Sequence, residues 1–192
     1  MLFQDLWFYF KLGWHHIISA DALDHQLFIL ALVTVYNYTH FRKVLVLVTA
    51  FTIGHSLTLF LSVLDVIRFD TKWVEFLIPC TIVFTALSNI FRMDSISTSR
   101  NYVLALAFGL IHGMGFANSI RMMLASDQHI GWGILGFNLG LEAGQVCIVI
   151  LILLISYIVF TYTRIKKPEW ILFVSAAVFS LALKMALERI PY

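Results

Sequence analysis

Long apolar runs alternate with short polar connections along the whole chain. A helix that crosses a bilayer needs about 20 mostly apolar residues, and six runs meet this requirement: 16–36, 44–64, 73–91, 101–121, 132–160 and 169–187. No connection between them is long enough to hold a soluble domain. We therefore predict an all-α integral membrane protein, residues 1–192 forming a single bundle of about six transmembrane helices. The aromatic-rich residues 1–13 predict an interfacial N-terminal segment.

Composition narrows the class of protein further. The chain is 60% hydrophobic and 12% charged, whereas soluble domains are about 25% charged. A net charge of +2 gives no reason to expect a nucleic-acid partner, so the expected surroundings are the lipid bilayer. The two cysteines, Cys80 and Cys147, stand alone in apolar runs, which favours neither a disulfide framework nor a thiolate metal site.

Basic residues predict the orientation. They are somewhat more frequent in the loops after the first, third and fifth spans, where "RIKK" at 164–167 is the densest group. Cytoplasmic loops carry the excess of Lys and Arg. The bias predicts that both termini lie outside the cytoplasm.

Glycines mark two helix faces for close packing. Gly136, Gly140 and Gly144 recur every four residues in the fifth span, and Gly109 and Gly113 do so in the fourth. Small residues at this spacing let another helix approach closely. The groove of the fifth span could receive a helix of the same chain or of a homo-oligomer partner.

The fifth span also carries a polar face. Asn138, Glu142 and Gln145 lie on one side of the predicted helix, away from the glycines. A carboxylate in the middle of a span is costly. We expect Glu142 to be protonated, paired with another helix, or bound to a cation.

Histidines enter three different spans. The stretch "WHHIISADALDHQLF", residues 14–28, contains His16 and the adjacent pair Asp24 and His25. An aspartate beside a histidine can be a second ligand, or it can orient a metal-bound imidazole. Nitrogen and oxygen donors without thiolate suit nickel, cobalt or zinc. The candidate metal ligands are His16, Asp24, His25, His55, His112 and Glu142, with Asn138, Gln145 and Ser56 as supporting residues.

Five segments together resemble the HupE/UreJ family of hydrogenase and urease accessory membrane proteins. They are residues 12–32 around His16 and His25, followed by "FTIGHSLTLFLSVL", "VEFLIPCTIVFTALSN", "FGLIHGMGFANSI" and "GFNLGLEAGQ". They occur in the family's order over most of residues 12–150. The resemblance implies a helical-bundle protein of a bacterial-type inner membrane that is a permease or metal-handling partner for nickel. It places the family's characteristic residues at His16, Asp24, His25, His55, His112, Glu142 and Gln145.

Two functional hypotheses from different classes follow. A transporter would pass a divalent metal ion, its substrate, through a polar site that is reachable from both sides, with glycines as hinges. An intramembrane hydrolase would hold zinc with an open coordination position, and Glu142 as general base and Ser56 would assist catalysis. A third hypothesis is a scaffold whose polar residues only join helices, but this explains poorly a histidine on each of three spans.

Overall fold

The computed structural model describes residues 2–91, 98–124 and 130–192, with the side chains at 2, 98–100, 118, 119, 121–124 and 130 outside the description. Within these ranges all regular elements are helical, which confirms the predicted all-α fold. The α-helices are α1 (Leu2–Ile18), α2 (Leu23–Val33), α3 (Phe41–Val63), α4 (Thr71–Phe91), α5 (Thr98–Leu124), α6 (Ile130–Tyr162) and α7 (Lys167–Glu188). Short 3-10 helices at Ala20–Ala22 and Tyr38–His40 precede α2 and α3.

The long helices have the length and composition of membrane spans. In the described part of the chain, four segments meet both requirements: Tyr38–Val63, Thr71–Phe91, Gly131–Tyr162 and Lys167–Glu188. Helices α1 and α2 meet the length and composition requirements only when taken as one pair, which is bent by 59°. Helix α5 contains a shorter apolar stretch, Asn101–Ala117. Many large apolar side chains of α6 and α7 face outward, as they would toward lipid.

The last five predicted spans coincide with α3 to α7 to within a few residues. The first predicted span is wrong, because residues 16–36 do not form one helix and the chain breaks between Ile18 and Leu23. The Gln26 side-chain amide donates to the carbonyl oxygens of Ile17, at 3.1 Å, and Ser19, at 2.8 Å. It thus bonds the last turn of α1, through Ile17, to the break, where the Ser19 carbonyl also accepts the backbone N–H of Ala22 at 3.1 Å.

Helix α1 packs along the glycine face of α6. A Cβ at Gly136 would lie 2.7 Å from the carbonyl oxygen of Leu6, and one at Gly140 would overlap the carbonyl of Phe10. The predicted interfacial segment is therefore, from Leu2 onward, part of a helix pressed against α6. The groove expected to receive a helix of this chain or of another copy holds α1 of the same chain.

Helices α3 and α5 run parallel, and their backbones approach each other as closely as those of α1 and α6 do. A Cβ at Gly113 would lie 2.6 Å from the carbonyl oxygen of His55, and one at Gly109 would overlap the carbonyl of Phe51. Only residues without a side chain allow two backbones to approach in this way. This contact sets His112, next to Gly113, beside α3.

Candidate metal centre

Four histidine rings meet where the break between α1 and α2 faces α3 and α5. The ring centroids of His16 and His25 are 4.8 Å apart, and His25 is 5.0 Å from His112. His55 lies 6.0 Å from both His16 and His25. His55 and His112 are fully buried, and His25 is 5% exposed. The structure thus brings together the four histidines that the sequence placed on three separate spans.

These separations are close to those around a single metal ion. Imidazoles that bind one ion through nitrogens at ~2.0–2.1 Å have ring centroids roughly 4.5–5.5 Å apart. In the described residues, however, no group of three or more His, Cys, Asp or Glu side chains is already arranged to hold a metal ion. The separations of His25 from His16 and from His112 lie within this range, whereas His55, at 6.0 Å from His16 and His25, lies just outside it. The rings must therefore move before all four can share an ion.

Most nitrogens of this cluster have no hydrogen-bond partner among the described residues. They are buried, and they comprise His16 Nε2, His25 Nε2, both ring nitrogens of His55, and His112 Nδ1. A buried polar atom without a partner costs about 1–3 kcal/mol. Each neutral imidazole carries one lone-pair nitrogen, which can coordinate a metal ion. The cluster therefore offers a metal ion one lone pair from each of four rings.

Asp24 fixes the tautomer of His25. Its Oδ1 accepts the backbone N–H of His25 at 2.9 Å and lies 3.0 Å from His25 Nδ1. Because an ionised carboxylate only accepts, Nδ1 carries the hydrogen and Nε2 keeps its lone pair for the cluster. Of the two roles that the sequence left open for Asp24, this geometry matches the carboxylate that orients an imidazole.

Thr81 of α4 has the same effect on His112. The Thr81 hydroxyl donates to the carbonyl oxygen of Ile78 at 2.7 Å and lies 3.2 Å from His112 Nε2. Its single hydrogen is used by Ile78, so it accepts from His112 Nε2–H, and the lone pair of that ring lies on Nδ1. Sequence analysis missed Thr81, because one threonine in an apolar helix gives no signal of its own.

Phenylalanine rings surround the cluster. Phe116 lies 4.2 Å from His16 and stacks on Phe137 at 5.1 Å. Phe28 and Phe51 each lie 5.2 Å from His112. Such walls restrict the rotation of the histidines and lower the local dielectric, which strengthens the attraction between lone pairs and a cation.

A cavity of about 340 Å³ connects three of the histidines with the surface. Because a water molecule occupies ~30 Å³, it has room for an ion with bound water. Its lining includes the acidic side chains of Asp21, Asp24 and Glu75, together with Arg189 at the end of α7. Arg189 Nη1 lies 3.6 Å from Asp24 Oδ2. The lining residues are His16, Ser19, Asp21, Ala22, Asp24, His25, Glu75, Ile78, His112, Gly115, Phe116 and Arg189.

Glu142 is hydrogen-bonded to threonines of α3. It accepts a hydrogen bond from Thr49 at 2.6 Å and a short one from Thr52, which also lies 2.9 Å from Gln145 Oε1. In the described part of the chain, Glu142 makes no hydrogen bond and no ion pair with any of the four rings. The structure therefore places this carboxylate between α3 and α6, with Gln145 beside it.

The two remaining supporting residues bond to their own helices. The Ser56 hydroxyl donates to the carbonyl of Thr52 at 2.6 Å, and the Asn138 amide donates to the carbonyl of Ile134 at 2.9 Å. Asn138 Oδ1 is buried and has no hydrogen-bond partner among the described residues. Neither side chain makes a described hydrogen bond to the four rings.

The comparison with protein families matches this chain over nearly its full length. The family model described as HupE / UreJ protein covers residues 2–189, which include the break, all four histidines and the Glu142 region. Searches among curated proteins and among solved structures gave no significant match. The HupE/UreJ family is associated with nickel or cobalt accessory or transport function. This multi-pass membrane protein belongs to the HupE/UreJ family.

Proposed function

We propose that the protein transports nickel or cobalt ions across a bacterial-type inner membrane and that the four-histidine cluster binds the ion in transit. One observation carries the proposal: five buried imidazole nitrogens from four rings have no hydrogen-bond partner among the described residues. Imidazole is a suitable ligand for nickel and cobalt, and it can replace part of the water shell that the ion must lose inside a membrane.

The cavity supports this proposal through its charge. Asp21 and Glu75 are exposed acidic residues of its lining, and the partly buried Asp24 lies beside His25. Acidic side chains around a cleft raise the local concentration of cations and speed their entry. A metal ion would therefore meet carboxylates first and imidazoles afterwards.

The position of the mouth suggests a direction of transport. Arg189 follows the last residue of α7, and Glu75 lies near the start of α4, so the cavity opens on the side where the chain ends. We propose that both termini lie outside the cytoplasm, as the basic loops predict. The ion would then enter from outside, and the proposed transport is uptake.

The hydrolase hypothesis has less support than the transport hypothesis, because the side chains assigned to catalysis are bonded elsewhere. The Ser56 hydroxyl donates to the Thr52 carbonyl, and Glu142 is bonded to Thr49 and Thr52. Neither the expected general base nor the expected hydroxyl makes a described contact with the four rings. The scaffold hypothesis has less support too, because it leaves the burial of five unpartnered nitrogens unexplained.

The proposal is tested with purified protein in detergent and in proteoliposomes, for wild type, His25→Ala and His15→Ala. His15 is the matched control, since it is exposed near the end of α1. We expect nickel binding and nickel uptake in wild type and His15→Ala, and the loss of both in His25→Ala. Zinc that stays bound in wild type through dialysis, with no nickel uptake, would favour the hydrolase instead.

A further inference from the structure

A second polar group lies between α3 and α6, and we call it the oxygen cluster. It consists of Thr49, Thr52, Glu142 and Gln145. Thr49 donates to Glu142 Oε1 at 2.6 Å, and Thr52 contacts both Glu142 Oε2 and, at 2.9 Å, Gln145 Oε1. Gln145 is 1% exposed, whereas Thr49 reaches the surface of the bundle. The cluster thus extends from the interior to the outside of the protein.

The Thr52 hydroxyl has more acceptors within reach than it has hydrogens. The single hydroxyl hydrogen of Thr52 faces three oxygens, those of Glu142, of Gln145 and of the Val48 carbonyl at 3.2 Å. A hydroxyl can donate to only one of them. Among the ion pairs of the described residues, none includes Glu142. A carboxylate in the membrane interior without a positive partner is expensive, and a bound cation would remove that cost.

The oxygen cluster is next to the histidine cluster along α3. Thr52 precedes His55 by three residues, a rise of roughly 4.5 Å along a helix. On α6, Phe137 precedes Glu142 by five residues and stacks against His55 with ring centroids 6.3 Å apart. An ion leaving His55 would therefore reach the Thr52 hydroxyl within about one helical turn.

The oxygen cluster also lies on the far side of the histidines from the cavity mouth. On α5, Gly115 and Phe116 follow His112 and line the cavity, so α5 runs toward the mouth. Helix α3 is parallel to α5, since Phe51 faces Gly109 and His55 faces Gly113. Residues that precede His55 on α3 are therefore farther from the mouth, and these include Thr49 and Thr52.

We propose that the oxygen cluster is a second binding station, separate from the histidines, which the transported divalent ion occupies on its way out of the protein. This inference rests on the proposed transport function. Hydroxyl, amide and carboxylate oxygens hold nickel and cobalt less tightly than imidazole does. An ion that moves from nitrogen ligands to oxygen ligands is closer to release.

The test separates binding from movement. Nickel binding in detergent and initial nickel uptake into proteoliposomes are measured for wild type, Glu142→Gln and Ser156→Ala. Ser156 is the control, because it lies on the same helix as Glu142 and its hydroxyl donates to the carbonyl of Ile152 in that helix. We expect Glu142→Gln to bind nickel at the histidines with an affinity like that of wild type and to slow uptake by about tenfold or more. Ser156→Ala should match wild type in both assays.

Three results would overturn the proposal. If Glu142→Gln abolishes nickel binding while remaining folded, Glu142 coordinates the same ion as the histidines. If it takes up nickel like wild type, the oxygen cluster only joins α3 to α6. If wild type neither binds nor transports nickel, the proposed function fails and the second station fails with it. Thr49→Val, at an exposed position, provides a milder variant should Glu142→Gln not fold, and it must also slow uptake without weakening binding.

Discussion

His16 and His25 have ring centroids 4.8 Å apart although nine residues separate them in the chain. In one continuous helix the same two residues would be roughly 13.5 Å apart along the axis, at about 1.5 Å per residue. The 59° bend between α1 and α2 brings them together. The break in the first span is therefore what builds the histidine cluster.

Gln26 stabilises this break, and its removal should weaken metal binding. In Gln26→Met the carbonyls of Ile17 and Ser19 lose their side-chain donor. We expect the free energy of unfolding to fall by about 1–3 kcal/mol and nickel affinity to fall as His16 and His25 become less well aligned. Thermal unfolding and nickel titration are the measurements. Gln4→Met, at an exposed position on α1, is the control; equal nickel affinity in both variants would show that Gln26 does not hold the site.

Thr81 should control the tautomer of His112. Thr81→Val keeps the volume and removes the oxygen that accepts from His112 Nε2, so the lone pair is no longer confined to Nδ1. Loss of such an orienting partner lowers metal affinity by about 10–100-fold. We expect this loss together with a fall of about 1–3 kcal/mol in the free energy of unfolding, because the buried Nε2–H is left without an acceptor. Thr85→Val is the matched control, because the Thr85 hydroxyl bonds to its own helix. An unaltered nickel affinity in Thr81→Val would argue against this role.

Arg189 should hinder the entry of cations. Its guanidinium lines the cavity and lies 3.6 Å from Asp24, so it repels an arriving metal ion. Arg189→Gln should increase the association rate of nickel, most clearly at low ionic strength. Stopped-flow binding at two salt concentrations measures this. Lys184→Gln, an exposed cation paired with Glu188 on α7, should leave the rate unchanged. A slower association in Arg189→Gln would instead mean that Arg189 is needed to position Asp24.

The contact between α1 and α6 should be sensitive to a single methyl group. In Gly140→Ala the new Cβ would overlap the carbonyl of Phe10, so the two helices must separate. Gly131→Ala adds the same methyl group to the same helix where no heavy atom lies within 4 Å. We expect Gly140→Ala to lower the melting temperature and Gly131→Ala to leave it equal or slightly higher, since alanine favours a helix by about 0.5–1 kcal/mol. Equal melting temperatures would contradict the observed packing.

Much of the fold could be predicted from the sequence, because the length of an apolar run is a property of the chain alone. The bounds of α3 to α7 follow from it to within a few residues. The break at Ser19–Ala22 could not be predicted in this way, since both α1 and α2 are apolar and the sequence between them contains neither proline nor glycine. It depends on the Gln26 side chain and on the contact of α1 with α6.

The sequence was enough to predict which residues belong to the candidate site. It was not enough to predict which of them lie next to one another. The cost of placing a histidine or carboxylate in lipid identifies His55, His112 and Glu142 without any structure. Their distances depend on how the helices pack, so the hydrogen bonds of Glu142 to Thr49 and Thr52 could not be foreseen. The same holds for Thr81 and Arg189, which act on the cluster from α4 and from the end of α7.

The nickel ligands themselves give the most direct test of the central claim, that the four rings bind the ion in transit. X-ray absorption at the nickel edge should be recorded on purified protein loaded with nickel, for wild type, His55→Ala, His112→Ala and His15→Ala. The account predicts several imidazole nitrogens around nickel in wild type and His15→Ala, and fewer in each of the other two variants. A shell of water and carboxylate oxygens alone, or the same imidazole signal in all four proteins, would contradict it.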